Sequence, residues 1–286
     1  MMHLKISDNK IVNRLRWIMV GSIIFSIINT LLGQPEAFWS NPADAIRGDG
    51  LSIYNTTNYT FSFFLGNGWL EYVFACVVYI IAAFLLVSFL PRRIALITEL
   101  SFIFGYFFEA TNWLAVRWHF GINAAMIFGI LISLFIVFNL FEEIRPDTDK
   151  ILKKLRWVML GTMVLDFLVT LIGQPHSFWI HPDTVHEGNP LSRFFLLKGW
   201  YYFAIYDLVY FTSIFLLVSY IPKRLALFLI FYFILIHFVG DSCWFFYEWR
   251  MGMQSPVIIG IILSSIIVMI YESEISISNN GISVST

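Results

Sequence analysis

The sequence predicts an all-α polytopic membrane protein, with eight transmembrane helices arranged as two tandem parallel four-helix repeats related by a pseudo-twofold axis along the membrane normal. Three observations carry that expectation. Hydrophobic residues fill 58% of 286 positions and charged residues only 13%, where a soluble domain carries about a quarter charged. Apolar runs near the length that crosses about 30 Å of hydrocarbon recur along the chain. A phrase at residues 33–42, "GQPEAFWSNP", is also written again at 173–182 as "GQPHSFWIHP".

The apolar runs are 14–33, 70–90, 94–116, 122–141, 152–173, 200–221, 224–247 and 255–272. Barrel strands would instead alternate in polarity over about 10 residues. The first run is too long for a signal-peptide core and has no small-x-small site after it, so it reads as a retained helix. Cys76 and Cys243 fall inside spans, with no CxxC pattern and no disulfide framework.

The repeat is legible residue by residue. Residues 14–50 align with 154–190, and 68–140 with 199–271. All ten tryptophans pair: Trp17 with Trp157, Trp39 with Trp179, Trp69 with Trp200, Trp113 with Trp244 and Trp118 with Trp249. Repeats of four helices enter the membrane in the same direction, which makes the repeat parallel. The expected organisation is a first repeat over 1–140, a polar cytoplasmic linker over 141–154, a second repeat over 155–272 and a polar, disordered tail over 273–286. Basic residues set the orientation. With both termini cytoplasmic, thirteen Lys and Arg lie inside and five outside. Eight of the tryptophans then cluster towards the outer surface, as an aromatic belt or as the lining of an outer cavity.

The scaffold is duplicated but the ionisable residues are not. Asp166 stands opposite Ser26, Asp207 opposite Cys76, His237 opposite Tyr106 and Asp241 opposite Ala110. His181, His186 and Glu187 likewise replace Asn41, Ile46 and Arg47. An ionisable side chain within hydrocarbon costs several kcal/mol and marks a functional site by default. On the seventh span His237, Asp241, Trp244 and Glu248 share a helical face by spacing, so Asp241 is placed to orient His237 for proton exchange. Asp166 lies well inside its span and must face the interior, towards Asp207, His237 or Thr170. The first half has its own arrangement, with Glu109, Asn112 and Trp113 on one face. These eleven residues (Asp166, Asp207, His237, Asp241, Trp244, His181, His186, Glu187, Glu109, Asn112 and Trp113) form the candidate ligand-binding set. The outer-loop spacing His176, His181, His186 is no recognised zinc signature, so no metal is assigned.

No catalytic or phosphate-binding motif occurs, and the sequence names no cofactor. No basic cluster suggests nucleic acid. The "NTT" and "NYT" sequons at 55–60 matter only in a host that glycosylates. Three functions stay open. The first is binding, extending to transport, of an amphipathic or lipid-like molecule in an aromatic pocket near the outer face. The second is a structural subunit docked to membrane-protein partners in the bilayer. The third is an enzyme on a lipid-linked substrate, which needs His181 or His186 within hydrogen-bond reach of Asp241 or His237.

Overall fold

A computed structural model describes residues 10–34, 36–40, 59–116, 122–140 and 148–282. Every regular element among the described residues is helical. In order these are α1 (Lys10–Leu32), α2 (Glu36–Ser40), α3 (Tyr59–Asn67), α4 (Trp69–Phe89), α5 (Arg92–Val116), α6 (Ile122–Leu140) and α7 (Thr148–Ile172). Two 3-10 turns, His176–Trp179 and Pro182–Thr184, lead to α8 (Pro190–Leu196), α9 (Trp200–Tyr220) and α10 (Lys223–Cys243). A π-helical turn over Trp244–Glu248 and α11 (Gln254–Ile282) complete the chain.

Seven helices are long and apolar enough to cross a membrane: α1, α4, α5, α7, α9, α10 with its π turn, and α11. This is the helical multi-pass class that composition predicts. The remaining expected span, 122–141, is a shorter apolar helix at Asn123–Asn139. Two expectations about connecting segments differ. The linker expected over 141–154 is helical from Thr148 onward, because α7 begins well before its apolar stretch. The tail expected to be disordered continues α11 to Ile282. Once a helix is nucleated each further residue adds a hydrogen bond, and this tail holds no proline to stop it.

Helix ends follow local chemistry. Pro222 supplies the N-cap of α10, and Pro91 directly precedes α5. Gly68 and Gly199 cap α4 and α9 at φ values of 143° and 123°, a region that residues with a Cβ seldom enter.

Two compact units are present. Unit 1 comprises 1–120 with 252–264, and unit 2 comprises 121–251 with 265–286. The units therefore do not coincide with the sequence halves: α6, the last helix of the first half, belongs to unit 2, and the start of α11 belongs to unit 1. Within unit 1, α1 packs on α5 and α4. Within unit 2, α10 is central and packs on α6, α7 and α9. Gly129 of α6 admits Tyr232 and Ile236 of α10 closely, at 3.3–3.4 Å from where a Cβ would stand. Close backbone approach at small residues is how helices associate where lipid removes the hydrophobic drive between them.

Candidate functional site

The polar interior of unit 2 is assembled at the end that carries the 173–199 connection. Asp166 stands six residues before the end of α7, about 9 Å along the axis. Asp207 stands seven residues into α9, and His237 and Asp241 lie in the last two turns of α10. Three helices thus bring their ionisable residues to one end of the unit.

The decisive contact crosses helices. His237 Nδ1 and Asp166 Oδ2 are 2.7 Å apart, with side chains 12% and 24% exposed. Sequence spacing had placed Asp241 as the partner of His237. Instead, neither carboxylate oxygen of Asp241 has a hydrogen-bond partner, and the residue is fully buried. His237 Nε2 is likewise buried without a partner. Asp207 is buried, and Asp166 lies within coulombic range of it, of Asp241 and of Glu187. Aromatic rings surround the pair: Tyr210 at 6.2 Å and Phe233 at 6.5 Å from the His237 ring, with Tyr206 stacked on Tyr210.

Gly240 makes room for Asp166. A Cβ there would stand 2.6 Å from Asp166 Oδ1, so any larger residue would push the carboxylate away. The sequence held a signal for this that spacing alone did not expose. Asp166 aligns with Ser26 while Gly240 aligns with Glu109. In the alignment the acid thus changes helix between the halves, with a small residue at the other position.

The repeated GQP phrase acquires a physical role. The Trp244 ring lies against Gly173, where a Cβ would collide with it. Gln174 Nε2 donates to the carbonyls of Thr170 at 3.0 Å and His186 at 2.7 Å, and its Oε1 accepts from His186 N at 2.9 Å. The connection is thereby tied down over the cluster. Phe178 turns inward with Val185, Leu196 and Phe203, leaving Trp179 half exposed.

The outer-loop residues do not all converge. The His181 carbonyl accepts from Thr184 N and Oγ1, and its side chain is exposed. His186 Nδ1 faces Glu248 Oε1 at 3.3 Å, both exposed. Glu187 is half-buried and accepts from Asn189 N at 2.7 Å. Burial, followed by the charge of Asp166, pushes its carboxyl up to about 7 despite the backbone donors. The π turn displaces Glu248 from the helical face that spacing assigned it, since Trp249 N bonds back five residues to Trp244 O.

In unit 1, Glu109 is half-buried within coulombic range of Tyr72, Cys76, Tyr79 and Tyr106. Asn112 lies one turn on, with contacts of its own. The side chain of Trp113 lies outside the described residues, as do Asn41, Ile46, Arg47, Arg117, Trp118, the sequon asparagines Asn55 and Asn58 and the linker stretch 141–147. Unit 1 also has an open apolar recess of about 400 Å³ lined by Ile28, Leu31, Leu32, Trp39, Trp69 and Val73. Among the described residues, no group of three or more His, Cys, Asp or Glu is arranged to hold a metal ion.

Comparison with protein families, with curated proteins and with solved structures finds no match for this chain.

Proposed function

We propose that this chain is an integral membrane protein that binds an amphipathic, lipid-like molecule, with the polar end of the ligand received by Asp241, His237 and Asp166. The carrying observation is the fully buried Asp241 carboxylate with neither oxygen hydrogen-bonded. A buried polar group without a partner costs about 1–3 kcal/mol, and more when charged. Such a cost persists in folded proteins where function uses it. The aromatic rings beside His237 suit the apolar part of the same ligand.

We also propose the finer architecture of two tandem parallel four-helix repeats with both termini cytoplasmic and the GQP connections outside. Matching local features support it. Gln34 and Gln174 bond back to Thr30 and Thr170. Phe38 and Phe178 are buried while Trp39 and Trp179 are each 49% exposed. Arg16 lies over Phe84 and Arg156 over Phe215.

Native mass spectrometry of the protein released gently from its own membrane tests the binding reading, comparing wild type with Asp241→Ala. The expected result is a small adduct on wild type that is absent from the variant. A stoichiometric protein partner on both, with no small adduct on either, would overturn the reading in favour of a structural subunit.

A further inference from the structure

We infer that the polar end of the ligand is a protonated amine carrying N–H donors; this rests on the binding reading above and narrows it to a chemical class. The first argument is charge. Within unit 2, α7 contributes Asp166, α9 contributes Asp207, α10 contributes Asp241 and the connection contributes Glu187, against one imidazole, His237. The described lysines and arginines nearest in the chain, Arg193, Lys198 and Arg250, are exposed, and Lys198 lies over the Phe194 ring at 4.2 Å. Carboxylates gathered in a low-dielectric interior favour a cation and repel an anionic head group.

The second argument is hydrogen bonding. In the neutral tautomer that donates Nδ1–H to Asp166 Oδ2, His237 Nε2 is left as an acceptor. Asp241 adds two more acceptor atoms without donors. Three unsatisfied buried acceptors match the three N–H donors of a primary ammonium. A quaternary ammonium would bring charge but no donor, and a sugar head would bring donors but no charge. The donor set is not arranged for a metal ion. The third argument is the wall: Tyr210 and Phe233 lie 6.2 Å and 6.5 Å from the His237 ring, with Tyr206 stacked on Tyr210, and aromatic rings attract an organic cation. The one-quarter exposure of Asp166 supplies an approach to the site.

The test measures saturable binding to the full chain in lipid nanodiscs, by calorimetry, of three probes with the same alkyl tail: decylamine, decyltrimethylammonium and decyl glucoside. Decylamine should bind at one per chain, and the other two about tenfold more weakly or worse, the loss of a charge-assisted hydrogen bond or of the charge. Asp241→Asn and Asp166→Asn should each weaken decylamine by about tenfold while leaving the glucoside unchanged. Asp166→Asn keeps an acceptor for His237 at a partly exposed position, so it remains informative if Asp241→Asn fails to fold. Glucoside binding as tight as decylamine and equally sensitive to Asp241 would overturn the amine inference while leaving the binding site standing. Absence of binding by all three probes would overturn the inference, and the co-purified adduct would then decide the binding reading alone.

Discussion

The two halves solve the problem of charge inside a membrane differently. The first keeps Arg16 and Glu99 together, both buried, 3.5 Å apart on α1 and α5. At the matched positions the second half has Arg156 and Ile230; Arg156 donates to Ser219 Oγ and needs no acid. Conversely, the second half gathers Asp166, Asp207, His237 and Asp241 where the first has Ser26, Cys76, Tyr106 and Ala110. In unit 1 that region is built from rings, with Tyr79 and Tyr106 edge-on and Phe102 stacked on Tyr106. Both Glu99 and Asp241 are buried carboxylates with neither oxygen hydrogen-bonded, but Glu99 faces a buried guanidinium at 3.5 Å whereas the charge within range of Asp241 is another acid, Asp166.

The largest effect should come from breaking the compensated pair. Glu99→Ala leaves Arg16 buried without its acid and should cost about 3–5 kcal/mol, whereas Arg156→Ala should cost about 1 kcal/mol or less. Thermal unfolding in nanodiscs reads both; equal costs would erase the proposed difference between the halves. Next comes the Trp244 seat. Gly173→Ala should destabilise by about 1–3 kcal/mol through overpacking, while Gly161→Ala, which meets nothing within 4 Å, should be neutral or slightly stabilising.

A smaller effect of opposite sign sharpens the comparison. Asp241→Ala installs the residue of the first half and should raise the stability of ligand-free protein by about 1–2 kcal/mol while abolishing the adduct. A loss of stability with the adduct retained would make Asp241 structural. The smallest effect concerns Glu187. Its folded carboxyl, pushed up to about 7 from 4.5, binds a proton more tightly than the unfolded one. Its contribution is therefore fully present below about pH 4.5 and is lost as pH rises through about 7, worth on the order of 1 kcal/mol at a half-buried site. Glu187→Gln should flatten that part of the stability profile between about pH 4.5 and 7, measured as amide-exchange protection around His186; an unchanged slope would assign it to other groups.

Much of the fold was legible because its determinants are local. The length of an apolar run sets a span, and Pro91, Pro222, Gly68 and Gly199 punctuate helices wherever they stand. The asymmetry of charge between halves needed only alignment, which is why Asp166, Asp207, His237 and Asp241 were identifiable as candidates. Which of them meet was only partly legible: Asp166 was offered to Asp207, His237 or Thr170 with nothing to choose among them. Spacing on one helix offered His237 to Asp241, yet the partner came from α7, because only helix packing at Gly240 determines how close Asp166 can approach. The assignment of α6 to unit 2 and the seating of Trp244 on Gly173 are decisions of the same kind. The sequence by itself determined the helices, their class and the inventory of charges, since propensity, hydropathy and periodicity act over a few residues. Only the tertiary structure decided which charges are paired and which stay unpaired, since that depends on contacts between residues such as Asp166 and His237, which lie 71 positions apart.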